Sequence, residues 1–124
     1  MKPRCVLVVD DEPFICRSLS FVLRREKFEV FEARNGEEAL AAIREHRPEL
    51  VFLDVMMPKL NGFEVTERVK ADPELRHTKI ILLTGKGQEA DRTAGVAAGA
   101  DDYLTKPFSP SRIVHRVREI LGLP

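Results

Sequence analysis

Two stretches, Leu50-Val51-Phe52-Leu53 and Ile80-Ile81-Leu82-Leu83, are apolar at every position, and they constrain the fold most. A strand points successive side chains to opposite faces of its sheet, so such runs fit central strands covered on both faces. Helix-period segments alternate with apolar runs from end to end, the pattern of βα repeats around a parallel sheet. Strands are expected near 4–9, 28–32, 49–53, 79–83 and 101–104. Helices are expected near 13–26, 36–46, 62–70, 88–98 and 110–121. Phe28-Glu29-Val30-Phe31-Glu32 mixes polar with apolar residues and reads as an edge strand.

Several helices carry start signals. Pro13 behind Asp11-Glu12, and Pro110 behind Ser109, each place proline in a first turn after a capping side chain. Asn35 and Asn61 precede glycine and serve as N-caps. Ile15, Leu19 and Val22 form the apolar stripe of the first helix; Ile113, Val117, Ile120 and Leu121 form that of the last. Gly95 and its small neighbours suit either a weakly held fourth helix or a closely packed one. Right-handed crossovers then make residues 1–124 one α/β domain, a doubly wound five-stranded parallel sheet, (βα)5, with flavodoxin-like strand order 2-1-3-4-5.

Composition removes several function classes. Lys plus Arg and Asp plus Glu both number 20, so no basic excess points to nucleic acid. The apolar runs fall far short of the ~20 residues that span a bilayer. Asp10-Asp11-Glu12 interrupts the first run too early for a signal peptide. Cys5 and Cys16 lack metal-ligand spacing and read as buried thiols in a reducing cytoplasm.

The chemistry lies at the strand ends. The first run ends on Asp10-Asp11, the third on Asp54, the fourth on Thr84, and the fifth leads through Thr105 to Lys106-Pro107. Open α/β sheets bind ligands at this carboxyl edge. Two ionised carboxylates ~4 Å apart repel by about 4 kcal/mol at an effective dielectric of roughly 20, so three of them hold a proton or a cation. Oxygen ligands with room for water suit Mg²⁺. A carboxylate exposed at a strand end can attack phosphorus and form an aspartyl phosphate, with positioning and charge neutralisation supplying most of the catalysis. In that scheme Asp54 is the nucleophile, Asp11 a direct Mg²⁺ ligand and Asp10 the holder of metal-bound water. Lys106 pairs with the phosphoryl group, Thr84 donates a hydrogen bond to it, and Gly85 leaves it room.

Val8-Val9-Asp10-Asp11-Glu12, the stretch from Asp54 through Met56-Met57-Pro58 to Asn61-Gly62, Leu83-Thr84-Gly85, and Gly99 through Asp101-Asp102-Tyr103-Leu104-Thr105-Lys106-Pro107-Phe108 resemble, in order, the motifs of a bacterial response-regulator receiver domain. The resemblance implies that Asp54 takes a phosphoryl group from a sensor histidine kinase, a phosphotransfer protein or a small phosphodonor. It implies a Mg²⁺ site built from Asp10, Asp11, Asp54 and the main-chain carbonyl of Met56, a switch pair in Thr84 and Lys106, a cis Lys106-Pro107 bond, and a switch aromatic in Tyr103. Met56 and Lys86 occupy variable positions that influence phosphate lifetime. Gly62 is expected simply to ease the turn before the third helix.

The output expected is a changed face of fourth helix, fifth strand and fifth helix. It would bind a downstream effector, a linked output domain or a second copy as a homodimer, with no direct nucleic acid and no membrane. Such a chain is a phosphoacceptor switch rather than an enzyme with turnover. A phosphatase of the haloacid-dehalogenase type wants a second aspartate where Met56 stands, and a flavodoxin-like cofactor carrier wants Ser, Thr and Gly where Asp10-Asp11-Glu12-Pro13 stands. An interaction module on the same fold that is never phosphorylated is the third alternative.

Overall fold

Alternate residues along each strand go to opposite sides of one sheet, and that sorting builds two cores. A computed structural model of the chain describes residues 3–85 and 89–124. The strands are β1 (Cys5–Val9), β2 (Glu29–Ala33), β3 (Leu50–Asp54), β4 (Lys79–Thr84) and β5 (Asp102–Thr105). All pair in parallel, in the order β2-β1-β3-β4-β5. Between and after them run α1 (Pro13–Arg25), α2 (Gly36–His46), α3 (Gly62–Ala71), α4 (Glu89–Ala98) and α5 (Pro110–Leu121).

Val6, Val8, Phe52, Ile81 and Leu83 pack in one layer with Cys16, Leu19 and Leu23 of α1 and Ile113 and Val117 of α5. Leu7, Val9, Val51, Leu53 and Leu82 pack in the other with Leu40 and Ile43 of α2 and Val65 and Val69 of α3. Each fully buried aliphatic or aromatic side chain contributes about 1.5–3 kcal/mol, so the all-apolar runs of β3 and β4 anchor both layers at once. β2 is an edge strand, as its mixed composition indicates.

Helix starts follow local chemistry with one exception. The Asn35 side chain accepts from the Glu38 amide, Asn61 and Glu64 form a reciprocal capping box, and Ser109 accepts from the Arg112 amide ahead of α5. At α1 the expected capping side chain is absent. Its N-cap is Glu12, whose side chain makes no capping bond; the Glu12 amide donates to Asp10 Oδ1 at 2.9 Å, and Asp11 is exposed.

Other differences from the sequence reading are small. β3 and β4 each run one residue further, so Asp54 and Thr84 belong to the strands and are fixed by their register. Ile15, Ile120 and Leu121 are only partly buried, packed against the α1–α5 layer. Cys5 is half-buried at the start of β1 and Cys16 fully buried; both are free thiols. A Cβ on buried Gly95 would lie 2.8 Å from Leu82 Cδ1, so this glycine serves close packing of α4. Lys86 and the expected helix start at residue 88 lie outside the described residues. Among the described residues no helix is long and apolar enough to cross a membrane.

Candidate functional site

Strand register brings the polar strand ends level. Val9 pairs with Ala33 on one side and Leu53 on the other, Asp54 pairs with Leu83, and Thr84 with Thr105. Asp10 therefore emerges from β1 beside Asp54 at the end of β3. One oxygen from each of Asp10, Asp11 and Asp54 lies within 4.8 Å of the other two. Lys106 enters from the end of β5, its amide donating to the Thr84 carbonyl at 2.8 Å. Its Nζ donates to Asp10 Oδ2 at 2.8 Å and lies 3.6 Å from Asp54 Oδ1. The Lys106-Pro107 bond is cis.

Asp10 is wholly buried and fully engaged. Its amide donates to the Ala33 carbonyl at 3.2 Å, its carbonyl accepts from Cys16 Sγ at 3.2 Å, and its carboxylate accepts from Glu12 and Lys106. Asp54 is 6% exposed, more enclosed than the open strand-end carboxylate that the sequence suggests. The chain turns back over it, so that the Met56 amide donates to Asp54 Oδ1 at 3.3 Å while the Met56 side chain points outward, 69% exposed. Asp11 is the exposed member of the three.

Among the described residues one ammonium, Lys106, lies within ion-pair reach of Asp10 and Asp54, and the crowding of carboxylates is felt at Asp54. Burial first, then the Asp10 carboxylate, pushes Asp54 up from 3.8 to about 7, against the pull of Lys106 and the Met56 amide. Burial alone would lower the Lys106 ammonium, but the Asp10 hydrogen bond and the surrounding carboxylates outweigh it and hold the group above 10.5. An all-oxygen donor set carrying excess negative charge fits a small hard divalent cation. Thioethers do not suit such an ion, so the side chain of Met56 has no part in holding one.

Thr84 stands beside this cluster, but its buried hydroxyl is turned to β5, donating to the Leu104 carbonyl at 3.5 Å. Gly85 follows it, half-buried. Tyr103 lies further down the sheet, opposite Leu82, half-buried in the layer that holds Phe63. Gly62 does more than ease a turn. A Cβ there would lie 2.6 Å from the Asp54 carbonyl oxygen and 2.9 Å from Val55 Cα, so only glycine lets α3 start against the main chain of Asp54. Its amide donates to the Val55 carbonyl at 2.9 Å, and Val55 in turn donates to Leu83. Sequence reasoning missed this contact, although the capped Asn61-Gly62 start was visible.

Known proteins share this arrangement of elements. The family model described as "Response regulator receiver domain" matches residues 6–118. Transcriptional regulatory protein ResD of Bacillus subtilis is 47% identical over 116 residues, covering 94% of this chain and 47% of that protein. The chain thus spans about half the length of the curated relatives it matches. A crystal structure from Chloroflexus aurantiacus superposes with a TM-score of 0.93 at 40% identity, covering 98% of this chain and 99% of that one. Chemotaxis response regulator CheY4 of Vibrio cholerae superposes at 0.90 with 32% identity, covering 96% and 99%.

Proposed function

We infer the function of this chain from its family: it belongs to the response regulator receiver domains of two-component signalling systems, in which phosphorylation on aspartate is characteristic. Within that family we propose Asp54 as the phosphoacceptor. The observation that carries the reading is the position of Lys106 Nζ, 2.8 Å from Asp10 and 3.6 Å from Asp54 at one sheet edge.

A carboxylate oxygen of Asp54 attacks the phosphorus of a phosphohistidine or of a small acyl phosphate. The new O–P bond forms as the donor's N–P or O–P bond breaks, and the leaving imidazole or carboxylate keeps the bonding electrons. Asp10, Asp11, Asp54 and the Met56 carbonyl would hold Mg²⁺, which would neutralise charge gathered on the phosphoryl oxygens. Lys106 turns from Asp54 to the incoming phosphoryl oxygens without leaving Asp10. Thr84 exchanges its long bond to Leu104 for a phosphoryl oxygen, and Tyr103 follows in the layer beneath α4. The phosphoryl group adds roughly −1.5 to −2 charge at one point, enough to bias the α4–β5–α5 face between two arrangements. Val96, 70% exposed on α4, is available there to an effector, an output domain or a second copy.

A groove of about 540 Å³ lined by Phe14, Ile15, Pro107, Phe108 and Ile113 includes Lys106 in its wall. A histidine kinase or phosphotransfer domain seated there would lie against Lys106, the residue that pairs with Asp54. The chain assists only its own phosphorylation and dephosphorylation, and the two free thiols are in keeping with the cytoplasm. Intact-mass measurement after acetyl phosphate with Mg²⁺ tests the assignment. One phosphate adduct is expected on the native chain and none on Asp54→Asn; no adduct on the native chain overturns it.

A further inference from the structure

Two helices open on the same pair, Asn35-Gly36 and Asn61-Gly62, and both glycines abut the segment that leaves Asp54. Gly62 lies against Asp54 itself. Gly36, the first residue of α2, lies against Leu60, with the space of a Cβ already taken by the Leu60 carbonyl oxygen, carbonyl carbon and Cβ. Neither glycine has a positive φ, since among described glycines only Gly99 and Gly122 do. Backbone freedom is therefore not the reason for glycine at position 36, and alanine has the higher helix propensity. The missing side chain is the reason.

The first turn of α2 is poorly placed to yield. Glu38 and Asn35 cap each other through bonds of 2.9 and 3.0 Å, Glu38 also accepts from the Arg34 amide at 3.1 Å, and Ala39 is wholly buried. Segment 55–61 is anchored at its ends by Val55 on Leu83 and Gly62 on Val55. Between them Lys59 adopts φ +72, a left-handed conformation that side-chain-bearing residues enter at a cost, and lies 3.9 Å from Glu37 of α2. A methyl group on Gly36 would have to displace the Leu60 main chain, which moves segment 55–61.

We propose that Gly36 is a positioning residue for the phosphorylation site: its contact with Leu60 sets the path of segment 55–61, and so the placing of the Met56 amide and of the main-chain carbonyls beside Asp54. This rests on Asp54 being the phosphoacceptor. The test compares native chain, Gly36→Ala and Val30→Ala, the last a destabilisation control in the opposite core layer. A shift of about an ångström far from the chemistry can cost up to ~100-fold, so Gly36→Ala is expected to slow the acetyl phosphate adduct about tenfold. It should also speed amide exchange across residues 55–62 in metal-free protein by a similar factor. Val30→Ala should lower Tm yet leave both readouts within about twofold.

A folded Gly36→Ala with native exchange and native adduct rate overturns the proposal. Should Gly36→Ala fail to fold, the native chain decides: Mg²⁺ titration is expected to shift the amides of residues 36–38 together with those of 54–56. Shifts confined to 54–56 overturn it. If the native chain takes no phosphate, the assignment of Asp54 falls, while the metal-free exchange comparison still judges Gly36.

Discussion

Among the described residues one ammonium at the carboxyl edge of the sheet, Lys106, serves a cluster of three carboxylates; at the opposite edge one carboxylate, Asp101, meets Lys70 at 2.9 Å and Lys79 at 4.0 Å. Lys70 also donates to the carbonyls of Thr78 and Arg76 at 2.7 and 3.1 Å, and Asp101 Oδ2 also accepts from the Ile80 amide at 2.8 Å. Every proton of the Lys70 ammonium has an acceptor there. That cluster has no work left except to tie α3 and the chain entering β4 to the chain entering β5. The Asp10–Asp54–Lys106 cluster carries surplus negative charge and a carboxyl group pushed up to about 7, which a cation or a phosphoryl transfer can relieve. The same two residue types make a joint where every ammonium proton of Lys70 finds an acceptor, and a reactive site where carboxylates outnumber the described ammonium.

The largest expected difference between the two edges is a pH dependence. The folded pKa of Asp54, about 7, exceeds its ordinary 3.8, so the native state holds this proton more tightly than the unfolded chain. In metal-free protein the stability this group contributes is fully present below about pH 4 and lost as pH rises through about 7. Relative to Asp54→Asn, the native chain should therefore lose on the order of 2–4 kcal/mol between about pH 4 and pH 8 in urea titrations with chelator. A flat difference curve would mean that the carboxylates at this edge are not in conflict.

Mg²⁺ comes next. At about 100 times its Kd it should raise unfolding stability by roughly 2.7 kcal/mol, most clearly near neutral pH where Asp54 is half-ionised without it. Asp11→Asn should reduce that gain while leaving the Lys70–Asp101 joint intact. Equal stabilisation of the native chain and of an Asp10, Asp11, Asp54 triple amide variant would place the ion elsewhere.

The smallest effect belongs to the Lys70–Asp101 edge. Lys70→Met leaves Asp101 and two carbonyls short of a donor and should cost about 1–3 kcal/mol, read from the urea midpoint. Its acetyl phosphate adduct should form within about twofold of the native rate. A strong loss of adduct would show that the two edges are coupled through β4 and β5, and would blur the contrast drawn here.

Much of this was legible in the chain. The apolar runs announced the strands and their coverage, and the fold is the doubly wound sheet that they imply. The candidate residues at 10, 11, 54, 84 and 106 could be picked out because each closes or follows such a run. Local signals misled where a distant or enclosing group took over. Asp11 looks like a cap, but it is exposed and Glu12 takes the N-cap position, its amide held by the buried Asp10 carboxylate. Gly62 looks like a point of chain freedom, whereas main-chain atoms occupy the space its side chain would need, and of the two readings open for Gly95 the contact with Leu82 favours close packing. Nothing near Lys70 in sequence marks Asp101 as its partner, since they are 31 residues apart.

The amino-acid sequence by itself determined the layering and, to within one residue, where each strand stops, because side-chain direction repeats every two residues in a strand and every 3.6 in a helix. Tertiary structure alone decided how charge is shared. Lys106 reaches Asp10 across 96 residues only because register levels four strand ends, and Asp54 is driven upward first by the assembled core that takes water away from it and then by the Asp10 carboxylate brought beside it. Burial and register belong to the packed whole, and no local run of residues carries either.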